Sequence, residues 1–244
     1  MIRSINNTDK INALNPFGIR IKALHNAYGG TNICSFYVDT DTSCIMAKSG
    51  SVLILDGSNT SDNQLLFDFC KLLGVNRLLC SSEHTFSKEH KTEGYILKHN
   101  ASKTNLHNKR TVINDKLRDI FPLIKNNLGE SLSGVSFDEF YVDLSHKVRH
   151  GCAAASIVYD ECNQPVSCAV APFVCNEGAV ISAVCTNKEI RNNGYASSAV
   201  NAIIDHLTAC GVDKIFLQIS NIKLLDLYNR LGFVCSGKWQ EILL

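Results

Sequence analysis

Three short apolar runs with turn residues between them constrain the fold of this chain more than any other feature. They extend from Ala153 to Tyr159, from Val166 to Val174 and from Ala179 to Val184. The segments between them, 161–165 and 176–178, contain Asn, Pro and Gly, which favour tight turns. We therefore expect three consecutive strands in an antiparallel meander.

Helical and strand patterns continue on both sides of this meander. After it we expect a helix from about Gly194 to Cys210, a strand from Lys214 to Ile219 and a helix from Asn221 to Leu231. Before it we expect a helix from Asp115 to Lys125 that is disturbed by Pro122. A second helix begins at the capping box Ser136 to Glu139 and runs to about Arg149.

The first part of the chain repeats the same order of elements. Strands are expected at 35–38, 44–47 and 51–55, followed by a helix from a capping box at 61–64 to Gly74 and a buried strand at 77–80. Gly50 to Ile54 resembles Gly178 to Ser182, and Gly74 to Leu79 resembles Gly211 to Phe216. A degenerate internal repeat is thus predicted, with chance similarity of short apolar strands as its alternative.

A polar segment divides the two parts. Residues 84–110 are rich in Lys, His, Asn and Ser, which is typical of a boundary between lobes. The predicted domains are an N-terminal lobe at 1–100, a linker at 101–112 and a second domain at 113–244. The N-terminal lobe has Ser58 to Ser61 where the second domain has a longer glycine-containing loop, so we expect it to bind no coenzyme.

That loop lies between a predicted strand and a predicted helix. It reads Arg191-Asn192-Asn193-Gly194-Tyr195-Ala196-Ser197 and follows the strand end Val184-Cys185-Thr186. A helix N-terminus offers unpaired amides and the positive end of a dipole, which together favour a phosphate group. Gly194 allows close approach of the backbone, and Ser197 adds a hydroxyl donor. The segment is therefore predicted to hold a pyrophosphate.

The pattern R-x-x-G-x-A after a strand ending in V-x-T resembles the acetyl-CoA signature of the GNAT superfamily of N-acetyltransferases. Downstream, Asn221 to Phe233 is similar to the N-x(6)-Y-x-x-x-G-F helix of the same family. The resemblance covers roughly the last 90 residues well. It implies a mixed α+β fold, with a central and mostly antiparallel sheet flanked by helices, here in a tandem two-lobe arrangement.

The resemblance also implies roles for individual residues. Backbone groups of Val184 and Thr186 would pair with the pantetheine arm of acetyl-CoA, and Asn221 would hydrogen-bond it. The loop residues would hold the pyrophosphate: Arg191, Asn192, Asn193, Gly194, Tyr195, Ala196 and Ser197. Tyr228 would contact the coenzyme and protonate its thiolate as general acid. The implied reaction is direct attack of an amine on the thioester in a ternary complex.

The general base does not follow from the resemblance, because the strand 179–184 carries no acidic residue. His146 and His150 lie four residues apart on one face of a predicted helix, and such a pair can supply a base or a substrate contact. A solvated polar helix end is the alternative. Cys185 is interpreted as a structural residue rather than a nucleophile, since no His or Asp is near it in sequence.

Composition excludes several other functions. The net charge of +1 argues against a nucleic-acid or anionic membrane partner. The eleven cysteines form no C-x-x-C pair, so no metal site is expected, and they are interpreted as reduced core residues of a cytoplasmic protein. No signal peptide or membrane span is predicted. The sequence indicates neither the oligomeric state nor the acceptor.

Two other functions stay open at this level. One is a catalytically silent acyl-CoA sensor or partner-binding module that has kept the pocket and lost the base. The other is an aminoacyl-transfer enzyme, which the near-zero net charge disfavours because it would have to bind a charged RNA.

Overall fold

The structure is a computed structural model that describes residues 1–6, 11, 13–57, 62–86, 91–100, 109–128 and 134–244. The segment Ser58 to Ser61 and most of the predicted linker lie outside these residues. The strands are β1 (Ile2–Ser4), β2 (Cys34–Asp39), β3 (Ile45–Ser49), β4 (Val52–Asp56), β5 (Arg77–Ser81), β6 (Lys91–His99), β7 (Thr111–Ile113), β8 (Ala154–Tyr159), β9 (Pro165–Ala171), β10 (Phe173–Cys175), β11 (Gly178–Ile181), β12 (Ala183–Thr186), β13 (Ile215–Ile219) and β14 (Phe233–Leu243).

The helices are α1 (Pro16–Tyr28), α2 (Asn63–Leu72), α3 (Ile120–Asn127), α4 (Phe137–Arg149), α5 (Tyr195–Ala209) and α6 (Leu225–Arg230). Single 3-10 turns precede three of them, at Leu117–Asp119, Lys188–Ile190 and Ile222–Leu224. The mixed α/β architecture with a large and mostly antiparallel sheet agrees with the expected fold class.

The strands form two sheets. One has ten strands in the order β1-β2-β3-β4-β5-β14-β6-β13-β11-β10, and the other has four in the order β12-β9-β8-β7. Helices α5 and α6 pack on one face, where their apolar residues meet Leu97, Leu217 and Phe233. Helices α3 and α4 cover the outer face of the four-stranded sheet around Ile157 and Cys185.

The two halves of the chain repeat one motif and then exchange their last strands. In each half two parallel strands are joined by a helix: β4 and β5 by α2, and β11 and β13 by α5. β14 then pairs with β5 of the first half, whereas β6 inserts between β14 and β13. The boundary at 101–112 stays a prediction, but the central sheet is built jointly by both halves.

Helix α1, which the sequence patterns did not identify, is buried on nearly all sides. Ile21 and Leu24 pack with Phe36 of β2, while Ile19 meets the other half at Gly178, where an added Cβ would lie 2.5 Å from its Cδ1. A helix with apolar residues on most of its circumference requires cover on more than one side. The ten-stranded sheet supplies this cover by flanking α1 with strands of both halves.

The predicted meander is correct in its antiparallel pairing but wrong in its strand lengths. The second predicted strand breaks at Pro172 into β9 and β10, because proline has no N–H for the ladder. The third breaks opposite, at Ser182, into β11 and β12. β9 and β12 therefore join the four-stranded sheet, while β10 and β11 join the ten-stranded one.

Three helix starts also differ from the prediction. The helix predicted from Asn221 begins only at Leu225, because Ile222–Leu224 forms a 3-10 turn. α3 begins at Ile120 after a 3-10 turn, so Pro122 lies in the first helical turn, where its missing N–H breaks no helical hydrogen bond. α2 is capped by Asp62, whose carboxylate accepts from the amides of Gln64 and Leu65. The capping box of Ser136 and Glu139 is confirmed at α4.

Candidate functional site

A wedge-shaped opening forms where two parallel strands separate. β11 pairs with β13 from Ala179 opposite Ile215 to Ile181 opposite Leu217. The chain then leaves β13 at Ser182, and β12 pairs with β9 of the other sheet. β13 continues to Ile219. The break at Ser182 thus produces an opening between β12 and β13 beside the N-terminus of α5.

The backbone of β12 faces this opening at alternate residues. The amide of Asn187 donates to the carbonyl of Val166 at 2.9 Å, which fixes the phase of the ladder between β12 and β9. Ladder bonds involve every second residue of an antiparallel strand. Val184 and Thr186 alternate with the residues of β12 that bond to β9, so their own N–H and C=O groups point away from β9. These are the two residues that were predicted to pair with a pantetheine arm.

The glycine-containing loop turns through two left-handed residues. Asn192 has a φ of +66° and Gly194 a φ of +79°. Nε of Arg191 donates to the carbonyl oxygen of Thr186 at 3.2 Å, and Nδ2 of Asn193 donates to the carbonyl of Ile190 at 3.1 Å. Arg191 therefore braces the loop against the end of β12, and its predicted contact with a pyrophosphate stays a prediction.

The N-terminus of α5 has no side-chain cap. Gly194 is the N-cap residue and has no side chain, so the first amides of the helix remain available. Tyr195, Ala196 and Ser197 form this first turn and are partly exposed. Uncapped amides at the positive end of a helix of this length provide an anion site.

Lys109 is a cation at this loop that the sequence analysis missed. Its Nζ lies 4.0 Å from the ring centroid of Tyr195, and its Cε is 3.9 Å from the position that a Cβ on Gly194 would take. Lys109 belongs to the polar segment that was interpreted only as a boundary. The clustering of basic residues in that segment was the available signal.

Asn221 and Tyr228, the other two predicted coenzyme residues, follow β13: Asn221 precedes the 3-10 turn and Tyr228 lies in α6. Oδ1 of Asn221 accepts from the amide of Lys223 at 3.0 Å and caps the 3-10 turn, which leaves its amide nitrogen to donate. Tyr228 is 4% exposed and its ring meets that of Phe233 at 5.9 Å. Burial raises the pKa of the Tyr228 phenol to about 12, so it keeps its proton at neutral pH.

His146 and His150 share a face of α4, as predicted, with ring centroids 4.2 Å apart. The Nε2 of His146 lies 2.9 Å from the carbonyl oxygen of Ala27 and its ring stacks on Tyr28 at 5.0 Å. A carbonyl only accepts, so Nε2 carries a proton and Nδ1 is the nitrogen that can receive one. His146 thus contacts α1, while His150 is exposed; their role as base or substrate contact stays a prediction.

A second missed residue, Arg20 of α1, reaches the opening from the N-terminal half. Its Nη2 donates to Oγ of Ser182 at 3.2 Å and also to Oε1 of Gln218. A cation within the apolar run 16–24 was the signal for it.

Cys185 is buried with its Sγ 3.4 Å from that of Cys168, and this contact raises the pKa of Cys168 and lowers that of Cys185.

The described residues also bear on the requirements of a metal site and of a membrane-spanning helix. Among the described residues, no group of three or more His, Cys, Asp or Glu side chains is arranged to hold a metal ion. Within that same part of the chain, no helix is both long and apolar enough to cross a membrane.

Comparison with known proteins agrees with this geometry. Residues 117–233 match the model of the acetyltransferase (GNAT) family, whereas no curated protein matches the sequence. A GCN5-related N-acetyltransferase-like protein from Streptococcus suis is 17% identical over 96% of this chain and 95% of its own, with a TM-score of 0.59. A GNAT-family acetyltransferase from Colwellia psychrerythraea is 10% identical over 100% of this chain and 99% of its own, also at 0.59.

A tandem GNAT protein from the clavulanic acid biosynthesis pathway has the same fold over nearly the whole length. It covers 99% of this chain and 97% of its own at 9% identity, with a TM-score of 0.56. At these identities the likeness concerns the fold alone. A neighbour described as tandem supports a degenerate GNAT-like lobe in the N-terminal half.

Proposed function

The chain carries a GNAT-family acetyltransferase domain at residues 117–233, and on that premise we propose that it transfers an acetyl group from acetyl-CoA to a primary amine. The observation that carries this proposal is the uncapped N-terminus of α5, placed directly beside the opening between β12 and β13. An anion site adjoining an extended slot fits a coenzyme that has a pyrophosphate and a long amide-containing arm.

The pyrophosphate would lie on the loop and the first turn of α5. The amides of Tyr195, Ala196 and Ser197 point toward the site, and Gly194 contributes no side chain that would fill it. Lys109 would add a positive charge from outside the loop. Asn192 and Asn193 would contribute mainly by holding the turn, since Nδ2 of Asn193 bonds to carbonyl groups of the loop itself.

The pantetheine arm would extend a hydrogen-bonded ladder along β12. Its amides would pair with the backbone groups of Val184 and Thr186 that face the opening, and the side-chain amide of Asn221 would donate to it from the opposite wall. The arm would then place the thioester next to Ser182.

The chemical step would be direct attack of the neutral amine nitrogen on the thioester carbonyl carbon. The amide of Val184 would stabilise the developing negative charge on the carbonyl oxygen. When the carbon–sulfur bond breaks, the phenol of Tyr228 would donate its proton to the sulfur. The amine proton would pass to a base, for which His146 and His150 are the candidates.

The division of the chain follows from the same proposal. Residues 113–244 would hold the coenzyme, 1–100 would form a lobe without coenzyme, and 101–112 would connect them. Two observations support a shared acceptor region between the lobes: Arg20 reaches Ser182, and Tyr28 donates to Oδ1 of Asp143 at 2.6 Å. The lobe would therefore form one wall of the amine site.

One observation favours the alternative function, a silent acyl-CoA sensor. β11 consists of Gly178 to Ile181 and has no acidic side chain that faces the acceptor. A sensor would bind acetyl-CoA with the same loop and would show no turnover with any amine. The two functions make the same prediction for binding and opposite predictions for transfer.

The proposal is tested with Gly194→Glu, which would place a carboxylate in the anion site. We expect calorimetry to show loss of acetyl-CoA binding and of transfer to a panel of amines. Gly211→Glu is the matched control, because Gly211 has a φ of +80° and no atom within 4 Å of an added Cβ. Coenzyme binding that survives in Gly194→Glu overturns the proposal, and wild-type binding without any transfer favours the sensor.

A further inference from the structure

Arg20 is a buried cation that the N-terminal half contributes to the opening of the other half. It is 9% exposed, yet its bonding partner Ser182 is exposed. Its two hydrogen-bond partners lie where the pairing of β11 and β13 ends, Ser182 directly after Ile181 and Gln218 directly after Leu217. The guanidinium thus lies below the surface of the opening, next to the expected thioester position.

The charge of Arg20 has no close counter-charge in the described part of the chain. No carboxylate there lies within 4 Å of the guanidinium. Burial lowers its pKa to about 10 while Glu241, at longer range, raises it, so the group remains charged at neutral pH. Buried charges are usually paired, because leaving one unpaired costs free energy. The guanidinium is therefore suited to bind an anion at this position.

Donor groups at the same place are also without acceptors. Nε of Arg20 and Nε2 of Gln218 are buried and have no hydrogen-bond partner within the described residues. Oγ of Ser182 accepts from Arg20, which leaves its own O–H to donate. Buried donors normally have partners. A bound carboxylate would give acceptors to these three donors.

A second cation, Lys147, lies on the same aromatic ring as Arg20 but has its own counter-charge. The ring of Phe173 lies 4.5 Å from the guanidinium carbon of Arg20 and 5.3 Å from Nζ of Lys147. Lys147 is paired with Asp143 at 2.9 Å, so that carboxylate is already engaged. The Asp143 carboxylate therefore does not supply the counter-charge of Arg20.

We propose that the acceptor is an amine that carries a carboxylate, as free amino acids do, and that Arg20 binds this carboxylate together with Gln218 and Ser182. This inference rests on the proposed acetyl transfer and adds the substrate class to it. The carboxylate would anchor the acceptor below the opening and leave its amine directed at the thioester. Arg20 would be a specificity-determining residue supplied by the lobe that holds no coenzyme.

The experiment compares acceptors that differ only in the carboxylate, namely a series of amino acids and the corresponding amino acid amides. A hydrogen bond to a charged group contributes about 1.5–3 kcal/mol, which corresponds to a kcat/KM preference of roughly 10- to 100-fold. We expect the wild-type protein to prefer the acids by this factor. Arg20→Met should abolish the preference by lowering kcat/KM for the acids while changing it little for the amides.

Three further measurements keep the result interpretable. Ser182→Ala, at an exposed position, should reduce the preference several-fold without affecting the fold, and Arg3→Met at an exposed site should leave it unchanged. Calorimetry with coenzyme present measures binding of the amino acids apart from turnover. If the wild-type protein binds amino acids but transfers acetyl to none of them, and if Arg20→Met loses this binding, acetyl transfer is refuted. The anion site at Arg20 would stand in that case. Transfer without preference for acids, or an equal loss for acids and amides in Arg20→Met, overturns this inference alone.

Discussion

Nζ of Lys109 lies 4.0 Å from the centroid of the Tyr195 ring, over the first residue of α5. This contact connects a residue just before β7 to the loop that is proposed to bind pyrophosphate. We expect Lys109→Met to weaken acetyl-CoA binding about three- to tenfold, because a partly exposed charge pair contributes roughly 1 kcal/mol. Calorimetry at two salt concentrations measures the effect, which should shrink at higher salt.

Lys71→Met serves as the control for Lys109→Met. Lys71 is an exposed lysine of α2, far in sequence from the loop, and its side chain is 73% exposed. An equal loss of coenzyme affinity in both variants would contradict a specific role for Lys109.

Tyr228→Phe separates coenzyme binding from proton donation. We expect an unchanged dissociation constant for acetyl-CoA and a fall in kcat of about a hundredfold, in the range of general acid catalysis. Because the pKa of the phenol is raised to about 12, deprotonation of Tyr228 should cause no decline in rate below that pH. Steady-state rates between pH 6 and pH 10, roughly the ordinary pKa of a tyrosine, test this.

The same phenol affects stability only in alkaline solution. Its pKa in the folded protein, about 12, exceeds the ordinary value of about 10, so the unfolded chain releases the proton first as the pH rises. The resulting stabilisation is complete below about pH 10 and is lost toward pH 12. Between these values Tyr228→Phe should lose less stability than the wild-type protein in denaturant titrations.

His146 connects α4 to α1, and its removal should therefore destabilise the protein. We expect His146→Ala to lower the free energy of unfolding by about 1–2 kcal/mol, since the variant leaves the carbonyl of Ala27 unpaired and removes the stacking on Tyr28. The exposed His150, changed to Ala, should have an effect below about 0.5 kcal/mol. Urea titration gives both values.

The predicted role of His146 as base has a separate readout. His146→Gln keeps a donor for Ala27 but has no ring nitrogen that can take up the proton of the amine. If His146 is the base, kcat should fall by about a hundredfold in this variant while the free energy of unfolding stays close to that of the wild-type protein. An unchanged kcat would restrict His146 to contacts between the helices.

The side chain of Trp239 in β14 passes over Gly94 of β6 to reach the backbone of β13, so position 94 has no room for a side chain. Nε1 of Trp239 donates to the carbonyl of Ile219 at 3.2 Å, and a Cβ on Gly94 would lie 2.1 Å from that carbonyl oxygen. Gly94→Ala should therefore destabilise the protein by about 3 kcal/mol or more. Gly237→Ala is the matched control, because its nearest neighbour, Cδ1 of Ile96, is 3.8 Å away. Similar melting temperatures for the two variants would contradict the prediction.

The local elements of the site could be predicted because short stretches of sequence determine them. The capping box from Ser136 to Glu139 predicts the start of α4, and a glycine before a helical pattern predicts the turn at Gly194. Both signals act within a few residues, and the structure has both. The coenzyme roles of Val184, Asn221 and Tyr228 remain predictions that rest on the family and on the position of these residues.

The contacts between distant segments could not be predicted from local patterns. Arg20 and Gln218 are far apart in sequence, and only the packing of α1 against both halves brings them together. Pro172 was present in the second apolar run, but its effect depends on the matching break at Ser182 in the neighbouring strand. Pairing across a sheet depends on which strands become neighbours, which short-range periodicity does not encode.

The exchange of β6 and β14 affects how the protein must assemble during synthesis. β5 is made early, but its neighbour β14 emerges only after every other element of the described sheet. Until then the nascent chain carries β5 with one edge unpaired, and unpaired edges favour association with other chains. Final folding also has to wait for a contact of long sequence separation, which slows it. Expression at low temperature or with added chaperones should therefore raise the yield of folded protein.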